Sequence, residues 1–81
     1  MLGLYELNAL SINERASALW EDGTFIVASD HPGGRSAFYT FADYFVEVLM
    51  VGEEERIAEV TPFYTGPRLD RLLSVIDLAK F

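Results

Sequence analysis

Cysteine is absent from the 81 residues of the chain, and this absence limits how the fold can be stabilised. No disulfide can form. The core of so short a chain contributes only about 3–5 kcal/mol to stability, and small proteins usually supplement it with disulfides, metals or oligomerisation. A chain without thiols also fits a reducing compartment. We therefore expect a cytoplasmic protein that gains any extra stability by another route.

Basic residues are scarce as well. Six Lys and Arg stand against thirteen Asp and Glu, which gives a formal charge of −7. Nucleic-acid binding depends on cations that displace counterions from phosphates, so we expect no nucleic-acid partner. An anionic membrane surface is disfavoured for the same reason, and no apolar run approaches the ~20 residues of a membrane span. We expect no membrane contact and no targeting segment.

Metal ligands are few. The chain has one histidine, so the several His or Cys ligands of a structural zinc site are not available. Glu53, Glu54 and Glu55 are adjacent acids without the spaced ligand loop that wraps calcium, and this pattern indicates a solvated turn. We expect no metal and no cofactor.

What the chain does have is apolar content. Hydrophobic residues make up 51% and aromatic residues 14%, enough for a single domain over residues 1–81. Ser11 and Glu14 form a capping-box pattern at the start of a helical apolar stripe. We predict a helix from Ile12 to about Trp20, with Gly23 as its stop signal.

Four β-rich segments follow the first helix. Aromatic and β-branched residues are interrupted by turn residues after each segment, which predicts three hairpin connections. A second helix should begin near Pro67 and extend to about Leu78, because apolar residues recur there at helical spacing. The predicted strands cover residues 24–29, 35–41, 44–51 and 56–63. We predict an α+β fold: a four-stranded antiparallel β-meander in the order α-β-β-β-β-α, with its two helices on one face.

The third strand is apolar on both sides. One side carries Tyr44, Val46, Val48 and Met50, and the other carries Phe45, Glu47, Leu49 and Val51. A sheet covered on one side only should show polar residues on its wet face, so a cover for the second side is expected. That cover is either intramolecular, through sheet curling or residues 2–10, or it is a partner.

A second copy is the favoured partner, because symmetric homodimers are the commonest soluble assembly. The candidate interface is Phe45, Glu47, Leu49 and Val51. We therefore predict a non-enzymatic protein-interaction module that self-associates as a homodimer, through the second sheet face or one sheet edge. Another protein is the alternative partner. A related alternative is an acidic immunity-type inhibitor of a basic protein.

Glu47 is the acid of this apolar strand, and it has to be solvated, paired or functional. Tyr39 and Arg56 on the neighbouring strands are its predicted partners. If Glu47 instead faces an aromatic cleft, the chain is a small-ligand binder or minor enzyme. The aromatic residues otherwise serve the core.

His31 stands beside Asp30 in a Pro-Gly-Gly turn, a pairing similar to a general base and its orienting carboxylate. Ser29 and Ser36 are the available nucleophiles across the hairpin, but neither lies in a nucleophile elbow. The glycines that precede Arg35 lead into a strand, whereas a phosphate-binding loop leads into a helix. We therefore assign no catalytic residue and no cofactor-binding residue.

Three segments carry a resemblance to known proteins: residues 19–25, 44–48 and 69–76, which read LWEDGTF, YFVEV and LDRLLSVI. Together they resemble small bacterial proteins of about this length, to which no activity is assigned. The similarity spans nearly the whole chain. It implies a complete bacterial domain and assigns a role to no residue.

Overall fold

The core of the fold is one antiparallel sheet whose four strands follow each other in sequence order. A computed structural model describes residues 2–79, with the side chains of residues 2–77. The elements are α1 (Leu4–Asn8), α2 (Ile12–Asp22), β1 (Thr24–His31), β2 (Gly34–Phe41), β3 (Tyr44–Val51), β4 (Arg56–Phe63) and α3 (Pro67–Ala79). The predicted α+β class and the β-meander are confirmed.

The predicted capping box opens α2. The Ser11 hydroxyl accepts the Glu14 amide at 3.2 Å, and the Glu14 carboxylate accepts the Ser11 amide at 3.0 Å. These hydrogen bonds, first the one from the Ser11 backbone, lower the pKa of the Glu14 carboxyl. The helix ends at Gly23, whose backbone is extended, and a Cβ at this position would lie 2.6 Å from the Leu19 carbonyl oxygen, so a larger residue would force a shift.

Turns join the strands where the sequence predicts them. Gly33, with φ of 91°, supplies the left-handed residue between β1 and β2, and Ala42, with φ of 54°, does so between β2 and β3. Residue Ile26 is an extra residue in β1, so that a bulge interrupts its pairing with β2.

One face of the sheet is covered by α1 and α2. Leu7 of α1 is fully buried, and Leu19 of α2 is 1% exposed. Both pack with the inward side of β3, which carries Val46 and Val48. Helix α1 is absent from the predicted order, since five residues are too few to show a helical period.

The opposite face is covered by α3. Leu72 is 1% exposed and packs with Phe38 and Phe63, while Leu73 of the predicted apolar stripe points outward and is 53% exposed. The expectation that both helices share one face is therefore wrong. Gly66, with φ of 98°, turns the chain after β4, and α3 lies over the second apolar side of β3.

The four residues of the candidate interface lie on this second side. Phe45 stacks on Phe63, with ring centroids 5.7 Å apart, and Glu47 is 5% exposed. Leu49 and Val51 are half-buried toward the other end of the strand. The cover expected for the second side is thus α3, which lies over Phe45 and Glu47. Residues 2–10, the other intramolecular cover considered, instead place α1 on the first face beside α2.

Candidate functional site

Glu47 lies at the centre of β3 and points toward α3. Arg71 binds its carboxylate with both terminal nitrogens: Nη2 donates to Oε1 at 2.6 Å, and Nη1 donates to Oε2 at 3.1 Å. Such a bidentate contact is among the stronger charge-assisted hydrogen bonds. The acid that the sequence places in an apolar strand is therefore paired, as predicted, but its partner comes from α3.

Ser36 of β2 provides a further hydrogen bond to the Glu47 carboxylate. Its hydroxyl lies 2.7 Å from Oε2 and donates to it, because an ionised carboxylate only accepts. His31 contacts the same hydroxyl oxygen through Nε2 at 3.1 Å. Ser36 is 2% exposed and its hydroxyl donates to Glu47, so the imidazole does not withdraw that proton.

Arg68 brings a second guanidinium to Glu47. Ser36, Glu47, Arg68 and Arg71 are here named the polar cluster. The Nε of Arg68 lies 3.3 Å from Oε1 of Glu47 but makes no hydrogen bond within the described residues. Two arginines thus face one carboxylate, and the group formed by Glu47, Arg68 and Arg71 carries one positive charge in excess. Local excess positive charge is unusual in a chain whose net charge is −7.

Two clefts open beside this cluster, between α3 and the sheet. The first, here named the hairpin cleft, has a volume of about 280 Å³ and lies against the β1–β2 hairpin. The second, the polar cleft, has a volume of about 190 Å³ and includes Glu59 and Thr61 of β4. Arg71 lines both. The hairpin cleft is lined by Ser29, His31, Ser36, Phe38, Arg71, Ser74 and Val75.

Tyr39 and Arg56, the residues predicted to pair with Glu47, do not lie opposite it in the sheet. Glu47 lies opposite Phe38 and Thr61, whereas Tyr39 lies opposite Val46 and Arg56 lies opposite Val51. A shift of one residue along a strand reverses the face of its side chain, so Tyr39 points to the other side of the sheet.

Asp30 does not orient His31. Its carboxylate accepts Arg35 Nε at 2.7 Å, and this hydrogen bond and charge lower the pKa of Asp30. Arg35 also lies 3.6 Å from Glu55 of the acidic turn. The pairing of a general base with its carboxylate is therefore not formed, while the solvated turn predicted at Glu53, Glu54 and Glu55 agrees with their exposure.

Arg68 and Arg71 are the site residues that the sequence prediction missed. They lie three positions apart on α3, so one helix face presents both. Both flank apolar residues of the stripe that faces the sheet. A pattern in the sequence does link the two arginines to Glu47. It consists of two like charges at that spacing beside a buried stripe, together with an acid on a central strand that has no partner nearby in the sequence.

In comparisons with known proteins, no family model, no curated protein and no solved structure matches the chain. Within residues 2–79, no helix has the length and apolar character needed to cross a membrane. The same part of the chain shows no group of three or more His, Asp or Glu side chains that could hold a metal ion.

Proposed function

We propose that the protein is a non-enzymatic interaction module that self-associates, and that two copies join through their β1 edges into a homodimer. The observation that carries this proposal is the contrast between the two outer strands of the sheet. Edge strands present unpaired backbone groups, and proteins that remain monomeric cover or charge them.

The β4 edge is protected. Helices α1 and α2 both contact β4, and Arg15 of α2 donates to the Val60 carbonyl at 2.9 Å. Pro62 removes one backbone amide, and Glu59 adds a charge. These features leave little of this edge available to a further strand.

The β1 edge is more open by comparison, although α3 packs on β1 from the second face of the sheet. None of its eight residues is fully buried, and its first six side chains, residues 24–29, carry no charge. The bulge at Ile26 leaves the later part of the strand, from Val27 onward, in regular pairing with β2. A second copy of this segment can add to the sheet by antiparallel pairing about a two-fold axis.

An aromatic cluster lies beside this edge. Trp20 of α2 and Phe25 of β1 are 53% and 55% exposed, and both contact Tyr39 with ring centroids 5.5 Å apart. Exposed aromatic side chains of this kind are typical anchors of protein interfaces. A second copy on β1 would bury them.

Net charge opposes the association of two identical chains of charge −7. This repulsion is screened by salt, since the Debye length falls from about 10 Å at 0.1 M to about 3 Å at 1 M ionic strength. Apolar contacts and backbone pairing are not weakened in this way. We therefore expect the dimer to strengthen as the salt concentration rises.

The experiment is the solution mass, measured by size-exclusion chromatography with light scattering at low and high protein concentration. The wild-type chain should be dimeric at the higher concentration, and both Phe25→Lys and Trp20→Lys should shift it to the monomer. Tyr5→Lys is the matched control, since Tyr5 is 86% exposed on α1 and away from β1. A wild-type monomer at every concentration would refute self-association.

A further variant separates two placements of the interface. Leu49→Lys alters the surface first predicted from the sequence, which includes Phe45, Glu47 and Val51. If association uses the β1 edge, Leu49→Lys should stay dimeric while Phe25→Lys does not. The reverse result would place the interface on the β3 surface.

The non-enzymatic part of the proposal is supported by the hydrogen bonds of the polar cluster. The Ser36 proton is directed to Glu47, and the Glu47 oxygens are already occupied by Ser36 and Arg71. The lack of cysteine further supports a reducing compartment, and we place the protein in the cytoplasm.

A further inference from the structure

We propose that the hairpin cleft binds a small organic monocarboxylate with a compact apolar body. The cleft adjoins the proposed dimer contact at Ser29 of β1, while its ligand is inferred from the chemistry of its own two walls. The cleft has a volume of about 280 Å³, just below the usual range of ligand pockets, which favours a small ligand.

Arg71 supplies the charge that would hold the carboxylate. Its guanidinium has five N–H donors. Two of them bind Glu47, which leaves three, and the side chain is 52% exposed. Arg68 also contacts Glu47, and Glu59 lines the polar cleft on the far side of both arginines. An anion beside Arg71 would therefore bind through the three N–H groups that Glu47 leaves available.

Hydroxyl groups lie on both sides of the same cleft. Ser29 lines it from β1, and Ser74 lines it from α3. Each hydroxyl can donate one hydrogen bond to a carboxylate oxygen. The two serines and Arg71 thus provide neutral and charged donors from opposite walls.

The remainder of the lining is apolar. Phe38 forms part of the sheet wall, and Val75 stands next to Ser74 on the helix. An apolar body such as an aromatic ring would contact these side chains while its carboxylate reaches Arg71. Burial of that ring removes apolar surface from water and provides affinity that an inorganic anion lacks.

The polar cleft is a weaker candidate for an anion. It contains Arg68 and Arg71, but Glu59 and Glu47 line it as well, so its formal charges cancel. The hairpin cleft contains Arg71 without an acid among its lining residues. On the hairpin side, therefore, no lining carboxylate competes with a bound anion for the remaining Arg71 donors.

The test uses benzoate as the probe and its neutral analogue benzamide as the ligand control, each titrated against the wild-type chain while backbone amide chemical shifts are recorded. Benzoate should produce saturable shifts at Ser29 and Ser74. Benzamide should bind at least about tenfold more weakly, because it lacks the charge that Arg71 recognises.

Two variants on α3 provide the matched pair. Ser74→Glu places a negative charge in the cleft, whereas Leu73→Glu adds the same charge at a neighbouring side chain that is 53% exposed and outside the cleft lining. Both positions are exposed, so both variants should fold. Ser74→Glu should weaken benzoate binding about tenfold, and Leu73→Glu less than about twofold, since exposed charges are screened.

Three results would overturn the proposal. One is the absence of saturable shifts with benzoate, and the second is equal binding of benzamide. The third is an equal loss in both acidic variants, which would mean that benzoate responds only to the net charge of the chain. None of these results affects the solution mass, so the dimer proposal is decided separately.

Discussion

Arg71 and Glu47 join α3 to the centre of the sheet through two hydrogen bonds of 2.6 and 3.1 Å. The carboxylate side is 7% exposed and the guanidinium side 52% exposed, so a buried anion meets a cation that still contacts water. Only the desolvation of Glu47 is severe, and this lowers the cost of placing the pair between helix and sheet. The pair therefore holds α3 while leaving Arg71 open to the hairpin cleft.

Arg71→Met should destabilise the fold, because it leaves the buried Glu47 carboxylate with Ser36 and a poorly aligned Arg68. The expected loss is about 1.5–3 kcal/mol in the free energy of unfolding, the range for hydrogen bonds to charged groups. Urea denaturation measures it. The double variant Glu47→Leu/Arg71→Met should recover much of the loss, since apolar replacement of a buried pair is often neutral.

Arg35→Met is the surface control for that series. Arg35 binds Asp30, whose side chain is 76% exposed, and exposed ion pairs contribute little. A larger loss for Arg35→Met than for Arg71→Met would contradict the role given to the Arg71–Glu47 pair.

Arg15→Lys should loosen α1. Arg15 donates to the carbonyls of Asn8 at 2.7 Å, Leu10 at 2.9 Å and Val60 at 2.9 Å, and so ties the end of α1 to β4. A lysine ammonium is a compact point charge and cannot match the fork of a guanidinium. We expect a loss of about 1–3 kcal/mol and faster hydrogen exchange in α1. Arg56→Lys, at an exposed strand end, is the control, and an equal effect there would refute this assignment.

Gly34→Ala should disturb the pairing of β2 with β3. A Cβ at Gly34 would fall well inside the contact distance of the Met50 carbonyl oxygen, and backbone cannot rotate away as a side chain can. We expect a loss of about 1–3 kcal/mol, the usual cost of overpacking, measured by thermal or urea unfolding. Gly33→Ala meets no neighbouring atom but carries the strain of φ at 91°, so its loss should come from that strain alone, about 1–2 kcal/mol. Unchanged stability of Gly34→Ala would contradict the close approach of β3 to β2 at this position.

The fold should lose stability at alkaline pH. Burial, and then the charges of neighbouring groups, raises the pKa of Tyr44, and burial raises the pKa of Tyr39. A raised pKa means that the native state favours the protonated phenol, so this stabilisation is complete below the ordinary value of about 10 and is lost as pH rises through the native pKa. Unfolding free energies measured across this range should decline.

Tyr44→Phe should flatten that decline, because it removes one of the two shifted phenols. It also removes the hydrogen bond from the Tyr44 hydroxyl to the Leu2 carbonyl, 2.9 Å long, at a cost of about 1 kcal/mol at neutral pH. Tyr5→Phe alters an exposed ring and should leave the alkaline profile unchanged. The same slope in wild type and Tyr44→Phe would show that Tyr44 is not a source of the alkaline loss.

Local sequence signals predicted most elements of the fold. Ser11 and Glu14 satisfy each other's amides within one turn, and β3 and β4 match their predicted bounds. These features depend on neighbours within a few residues along the chain, which is why periodicity and turn chemistry reveal them. The apolar residues on both sides of β3 also indicated correctly that both faces of the sheet need a cover.

Residue patterns along the chain were enough to specify the α+β class, the four strands, their turns and the capped helix, because each depends on contacts between residues close in the chain. Long-range packing set the rest: α3 crosses to the second face, α1 joins α2 on the first, and Glu47 meets Arg71. The residues of this last pair lie 24 positions apart. No local pattern specifies such a contact, since it forms only when packing of apolar side chains brings a helix face over a strand.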